Sequence, residues 1–262
     1  MVDKIHKTKG IVLRTVKYGE TSLVVTILTE LFGVQSYLVN GVRTATKKGS
    51  GKANLFQPTA ILDMVVYHNE TKNLQRIKEF KWGHLYQHIF SDVPKNAVAL
   101  FMVELLTKCL KQPEPNANLF NFCEDAFIHL DESSGAVMAN FPLFFALQLT
   151  NFFGFRPQPP NPPDKSGQAL KGALKESDNL IFDLQEGIFV TEKPHHPHFL
   201  EGKQAEIANE LLKVMQPSEL EDLKLNHDFR RQLLFSFETY YALHIQDFGT
   251  MKTVPVLREV LG

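Results

Sequence analysis

Near the start of the chain, apolar and polar residues alternate with the two-residue period of β-strands. The pattern predicts five strands, at residues 8–17, 22–29, 33–40, 60–67 and 74–80. Turn residues separate the first three, and residues 68–73 predict a hairpin loop between the last two. The second strand is apolar on both faces, which is typical of a strand in a small closed barrel that other elements cover. Residues 1–7 predict a frayed lead-in.

From Trp82 onward, the spacing of apolar residues changes to that of amphipathic helices. It predicts helices at residues 84–90, 96–111, 118–130, 141–153, 203–215, 226–245 and 253–261. A proline-rich break at 155–163 interrupts the series, and two short strands are predicted at 180–184 and 187–190. Asn226 is placed to cap the helix that follows it.

These elements predict an α+β fold. Five strands within about eighty residues, with one long connection, match the oligonucleotide/oligosaccharide-binding (OB) barrel. The predicted domains are an OB-type barrel at 1–81, a helical domain at 82–154, a small irregular insertion at 155–202, and C-terminal helices at 203–262 that complete the helical domain.

Charge is divided unevenly along the chain, although the net charge is only -1. Residues 1–81 hold 13 Lys and Arg against 6 Asp and Glu, which gives +7. Residues 82–262 hold 15 against 23, which gives -8. Such asymmetry is typical of a nucleic-acid-binding module joined to an ordinary globular body. Chance clustering of charge is the alternative.

A basic loop at residues 41–52 follows the third strand and contains no acidic residue. Cations spaced along such a loop can neutralise successive phosphates and release counterions. Two further cations at the end of the first strand extend the surface. The candidate DNA-binding residues are therefore Arg14, Lys17, Arg43, Lys47, Lys48 and Lys52. A merely solvated loop is the alternative.

Two aromatic residues of the barrel region, Tyr37 and Phe56, have two interpretations. They can stack on bases, as aromatic residues of barrel binders do, or they can fill the core. The core is favoured. The sequence Gly49–Lys52 does not match a phosphate-binding loop, because Thr46 stands where the motif needs glycine and Ala53 stands where it needs Ser or Thr.

No catalytic motif is present in the sequence, and we predict no catalytic residue, no metal ligand and no cofactor. The histidines of the 194–198 segment predict an exposed loop rather than a metal site. The two cysteines, Cys109 and Cys123, predict small core residues, because they form no C-x-x-C pair. Without a disulfide framework, signal peptide or membrane-spanning segment, we expect a cytoplasmic, nucleoid-associated protein with no membrane contact.

The chain resembles the RecO family of bacterial recombination mediators. The N-terminal residues that carry the resemblance are Gly10–Leu13, Tyr18–Val25, Leu28–Thr29, Gly33, Val39–Arg43 and Leu55–Pro58. Weaker likeness continues at Phe153–Pro157, Phe182–Phe189 and Leu257–Leu261. The order and spacing of these segments cover most of the chain.

The resemblance implies an OB barrel, a helical body and an inserted zinc-ribbon-like module. It also implies binding of single- and double-stranded DNA, annealing of complementary strands, and action with RecR, and often RecF, to load RecA onto DNA coated by single-stranded-DNA-binding protein. In many members four cysteines hold zinc in the inserted module. Residues 155–202 here contain no cysteine, so the insertion is expected to be a degenerate, metal-free version.

The leading hypothesis is a non-enzymatic DNA-binding mediator of DNA repair and recombination. Its cationic barrel engages phosphates with little sequence preference. A second hypothesis is an OB-fold scaffold that binds RNA or protein without annealing activity, because OB barrels serve many ligands. A third, a hydrolase built on the histidine-rich loop, predicts bound metal.

Overall fold

In the computed structural model, which describes residues 4–43, 51–159 and 180–261, the N-terminal part is a closed five-stranded barrel. Its strands are β1 (Lys4–Tyr18), β2 (Ser22–Thr29), β3 (Gly33–Val39), β4 (Ile61–His68) and β5 (Gln75–Trp82). The hydrogen-bonded order is β1-β2-β3-β5-β4, and all pairings are antiparallel except that of β3 with β5. All five predicted strands are present, with shifted ends.

Closure of the barrel depends on the length of β1. Its C-terminal half pairs with β2 and its N-terminal half pairs with β4, from Lys4 opposite His68 to Ile11 opposite Ile61. The prediction that residues 1–7 are frayed is therefore wrong for residues 4–7, because these residues pair with β4. Gly10 lies where both pairings meet, and a Cβ atom there would clash with the side chains of Met64 and Ile27.

The barrel core contains the two aromatic residues that had two interpretations. Tyr37 and Phe56 are both 0% exposed, so the core interpretation is confirmed. Phe56 ends a short 3-10 helix, Lys52–Phe56, and packs on Phe80 with ring centroids 4.7 Å apart. Burial raises the pKa of the Tyr37 phenol well above its usual range. Neither ring is available to stack on a base.

Among the residues that the structure describes, six α-helices follow the barrel: α1 (Val93–Cys109), α2 (Ala117–Glu132), α3 (Gly135–Leu149), α4 (Lys203–Lys213), α5 (His227–His244) and α6 (Thr253–Val260). Two short 3-10 helices, Thr150–Phe152 and Pro217–Glu221, lie between them. Asn226 caps α5, as predicted, by accepting a hydrogen bond from the backbone N–H of Phe229 at 2.9 Å. No helix among the described residues is long and apolar enough to cross a bilayer.

The helix predicted at 84–90 is wrong, because this segment is irregular. Three of its backbone N–H groups donate to a side chain and not to the carbonyl groups of a preceding helical turn. The carboxylate of Asp131 accepts hydrogen bonds from the backbone N–H groups of Gln87, His88 and Ile89 at 2.7–2.8 Å. Burial alone would raise the pKa of Asp131, but these three donors outweigh it and lower that pKa.

A small antiparallel sheet lies between α3 and α4. It consists of β6 (Ile181–Asp183), β7 (Ile188–Val190) and β8 (Phe199–Glu201), in the order β7-β6-β8. The first two strands were predicted, and the third was not. Three residues that follow a proline- and histidine-rich segment carry too little alternation to indicate a strand.

The chain divides into two compact units, Met1–Glu132 and Ser133–Gly262. The barrel, α1 and α2 belong to the first unit, and the small sheet and the other helices belong to the second. The α+β class and the helical C-terminal part are confirmed. The domain boundaries after residues 81, 154 and 202 follow changes in sequence pattern and stay predictions.

Candidate nucleic-acid interface

Four of the six predicted DNA-binding residues lie on the described part of the barrel. Arg14 and Lys17 belong to β1, Arg43 follows β3, and Lys52 begins the 3-10 helix. We call these four residues the cationic surface. Lys47 and Lys48 lie outside the described residues.

Arg14 and Lys17 point to opposite faces of β1, although the sequence interpretation grouped them. Arg14 lies opposite Thr26 of β2, on the outer face, whereas Lys17 lies opposite the core residue Leu23. Lys17 is nevertheless exposed, because it sits one residue from the end of the strand. The two cations therefore face solvent in different directions.

Arg43 ties the chain after β3 to the turn between β1 and β2. Its backbone N–H donates to the carbonyl of Thr21 at 3.0 Å, and its guanidinium donates to the carbonyl of Gly19 at 3.1 Å. Gly19 has a φ of 57°, a conformation that favours glycine. Arg43 thus fixes the start of the basic loop, and its guanidinium has five N–H donors in all, so others remain for a ligand.

The segment that begins at Lys52 packs against the same half of β1. Thr15, which lies between Arg14 and Lys17, donates a hydrogen bond from its hydroxyl to the carbonyl of Phe56. Both ends of the basic loop are therefore attached near the C-terminal half of β1. Arg43 and Lys52 therefore belong to segments that are held at the same half of β1 as Arg14 and Lys17.

The cations of this surface lack carboxylate partners within the described ranges, unlike Lys9 and Lys81 of the barrel. Within the described ranges, none of the four forms an ion pair. By contrast, Lys9 contacts Glu124 at 2.9 Å, and this hydrogen bond raises the pKa of Lys9. Lys81 contacts Asp63 at 3.3 Å. The positive charge of these four residues is therefore not compensated by a described carboxylate, and such charge can attract a polyanion.

Sequence reasoning missed an exposed apolar row on the outer face next to Arg14. Val16 lies opposite Val24, Val24 opposite Leu38, and Leu38 opposite Arg76. Val16 is 44% exposed, and Tyr18, two residues further on, is 58% exposed. The alternation in β2 contained part of this signal, because both faces of that strand are apolar.

The residues present do not fit the zinc ion that the family resemblance implies for the small sheet. Among the described residues, no three His, Cys, Asp or Glu side chains are grouped to hold a metal. The His196 ring lies 3.2 Å from one Asp183 oxygen, and the other oxygen accepts from the N–H groups of Gln185 and Glu186. Cys109 and Cys123 are buried in helices, where burial raises the pKa of each thiol.

Comparison with known proteins gives a consistent result along the chain. Residues 1–86 match the family model described as "Recombination protein O N terminal", and residues 91–159 match "Recombination protein O C terminal". A DNA repair protein RecO from Christiangramia forsetii is 31% identical over 98% of this chain and 99% of its own length. Relatives of the same name from Phocaeicola vulgatus and Bacteroides fragilis are each 31% identical over 98% of this chain, covering 100% and 99% of their lengths.

Proposed function

The chain belongs to the RecO family of DNA repair proteins, and from this premise we propose that it is a non-enzymatic, DNA-binding mediator of recombination. Its barrel, of the OB type, binds single- and double-stranded DNA without sequence preference. It anneals complementary strands and helps to load RecA onto DNA that is coated by single-stranded-DNA-binding protein. RecR, and often RecF, are its partners in this work, which takes place in the cytoplasm at the nucleoid.

The observation that carries the proposal is the uncompensated charge of the cationic surface. Arg14, Lys17 and Lys52 are exposed, and no carboxylate among the described residues pairs with them. Phosphate contacts from such cations fix a nucleic acid without reading its bases. Two complementary strands repel each other through their phosphates, so a surface that screens this charge lowers the barrier to pairing.

The small sheet supports a metal-free version of the zinc-ribbon-like module. Phe182 of β6 stacks on Phe189 of β7 with ring centroids 4.7 Å apart. The Asp183 carboxylate joins the β6–β7 turn to His196 in the segment before β8. We infer that this aromatic stack and this carboxylate take the structural role that zinc has in other members.

The test is fluorescence anisotropy of the purified protein with a labelled single-stranded oligonucleotide across a salt series. For the double variant Arg14→Gln/Lys17→Gln we expect the slope of log affinity against log salt to decrease by about 1.4, since two phosphate contacts are lost. Lys81→Gln is the matched control, because its cation already has a carboxylate partner. The same test applied to Lys47→Gln/Lys48→Gln examines the remaining two predicted residues.

The outcomes separate the proposal from its rival. DNA binding by the cationic surface is supported if affinity depends steeply on salt, and if the double variant reduces this dependence while the control variant does not. If structured RNA competes better than single-stranded DNA, and complementary strands are not annealed, the scaffold hypothesis replaces it. Absence of binding at low salt overturns DNA binding by the isolated protein.

A further inference from the structure

A large cavity among the described residues is a groove beside β3, which we call the β3 groove. Its volume is about 990 Å³. Its walls come from the start of β1, the turn between β2 and β3, the hairpin loop between β4 and β5, and the segment 110–115 after α1. It lies at the β2–β3 turn, which is the opposite end of this hairpin from Arg43 and the β1–β2 turn. No residue of the cationic surface lines it.

Positive charge predominates along the groove. Lys4, Lys72 and Lys111 line it, against one carboxylate, Glu70. These lysines come from three separate segments of the chain, so no run of basic residues marks them in the sequence. A cavity with one dominant charge and low-dielectric walls attracts ligands of the opposite charge. The charge of the groove therefore suits an anion.

An aromatic pair forms part of the wall. Phe32 and His68 stack with ring centroids 3.9 Å apart and 13° between their planes, and His6 meets Phe32 edge-on at 5.1 Å. All three residues line the groove and are half-buried. The neighbouring Leu31 is 45% exposed. Aromatic faces next to cations are how single-strand binders hold unpaired bases.

The hairpin-loop wall is held in place before any ligand arrives. Gln75, which is buried, donates from its side-chain amide to the carbonyls of Asn69 and Lys72 at 2.8 and 2.6 Å. The same side chain accepts from the Asn69 backbone N–H at 3.0 Å. On the β3 side of the groove, the Gln35 side-chain amide donates to the carbonyl of Phe32 at 2.9 Å. Ordered walls reduce the entropy that is lost on binding.

We propose that the β3 groove is a second nucleic-acid site on the same barrel, specific for a single strand. Lysines 4, 72 and 111 contact its phosphates, and an unpaired base packs against Phe32 and His68. A duplex has no unpaired base to offer, so the groove selects the single strand. The inference rests on the proposed function and adds to it, because a barrel with two separate sites can hold two strands at once.

The test is a stoichiometric titration of the full-length protein with a labelled oligonucleotide of about six nucleotides, within the site size of one OB barrel. At protein concentrations well above the dissociation constant, the unmodified protein should bind two equivalents. Phe32→Leu and Lys72→Gln/Lys111→Gln should each weaken one equivalent by about tenfold or more. Arg14→Gln/Lys17→Gln should weaken the other.

Controls separate a lost contact from a lost fold. Leu74→Ala removes an exposed apolar side chain of the same hairpin loop that does not line the groove, and it should leave both equivalents intact. Phe32→Tyr keeps the ring and should retain binding in the groove. Thermal unfolding of each variant checks that the barrel is intact.

If the unmodified protein binds only one equivalent, and only Arg14→Gln/Lys17→Gln abolishes that binding, the groove is not a second site. The proposed function is then unaffected. The groove is also excluded as a second site if the protein binds two equivalents but neither Phe32→Leu nor Lys72→Gln/Lys111→Gln weakens either of them. Absence of any binding overturns both proposals together.

Discussion

The cationic surface and the β3 groove lie on one barrel but are built differently. The cationic surface has Arg14 and Lys17 on one strand, facing solvent in different directions, and its neighbouring core aromatics are buried. The groove joins lysines from three segments to the stacked pair Phe32 and His68. In our proposal, the cationic surface recognises phosphate charge alone, whereas the groove recognises charge together with an unpaired base. Two sites of different selectivity are therefore possible within a barrel of five strands.

The largest expected effect tests whether the two sites share one scaffold. In Asp131→Ala, the backbone N–H groups of Gln87, His88 and Ile89 lose their common acceptor. We expect the free energy of unfolding of the first unit to fall by about 4 kcal/mol, because buried donors are left without partners. Chemical denaturation measures this loss, and binding at both sites should disappear at the same denaturant concentration.

The pKa of Asp131 adds a pH dependence to the same experiment. Because the folded-state pKa is lowered, the contribution of Asp131 is fully present above the unfolded-state pKa and is lost as the pH falls through the folded-state value. The unmodified protein should therefore lose stability below about pH 4, and Asp131→Ala should lose less. Equal acid sensitivity in both proteins would contradict this role of Asp131.

Charge reversal on the cationic surface should have the next largest effect. Arg14→Glu/Lys17→Glu should weaken duplex and single-strand binding alike, and for duplex the salt slope should decrease by about 2. Lys72→Glu/Lys111→Glu should weaken single-strand binding and leave duplex binding almost unchanged. Anisotropy with matched duplex and single-stranded probes measures both. A groove variant that weakens both probes equally would show that the two sites do not differ in selectivity.

The exposed aromatic residue of the outer face provides a finer comparison. If the cationic surface contacts phosphates only, Tyr18→Ala should weaken single-strand binding less than Phe32→Leu does. The expected loss for Phe32→Leu is about 1.4 kcal/mol or more, which corresponds to the tenfold weakening. Competition binding with a common probe measures both variants. A larger loss for Tyr18→Ala would place the base-stacking contact on the outer face, beside Val16 and Leu38.

The two sites also differ in how far the sequence could predict them. Arg43 and Lys52 belong to one loop, and Arg14 and Lys17 to one strand, so local pattern was enough to select them. The groove brings Lys4, Phe32, His68 and Lys111 together only through strand pairing and the path of the chain after α1. No local pattern carries that information.

The fold shows the same limit. Alternation gave the five strands, because each has a buried face, but it could not show that β1 continues to Lys4 and closes on β4. Apolar spacing suggested a helix at 84–90, where the Asp131 carboxylate supplies the acceptor that a helix would have supplied. Contacts that are distant in the sequence decided both cases.

The smallest expected effect is a pH dependence confined to the groove. Burial lowers the pKa of His68, and the nearby His6 lowers it further while Glu70 opposes them. The His68 Nδ1 atom is buried without a hydrogen-bond partner among the described residues. His68 is therefore neutral near pH 7, and the cations that remain along the groove are Lys4, Lys72 and Lys111.

A bound phosphate favours the protonated imidazole, so single-strand binding in the groove should strengthen as the pH falls below the usual histidine value of 6.5. One added charge should raise the affinity by about fivefold at 0.1 M salt, and His68→Gln should remove most of this gain. Titrations of Arg14→Gln/Lys17→Gln at several pH values isolate the groove. Because the pKa of His68 is lowered in the folded state, its protonation also destabilises the fold. We therefore expect single-strand affinity to rise as the pH falls, while the free energy of unfolding decreases. The strand does not reach the Phe32–His68 pair if the affinity does not change with pH. The same conclusion follows if His68→Gln and the unmodified protein show identical dependence of affinity on pH.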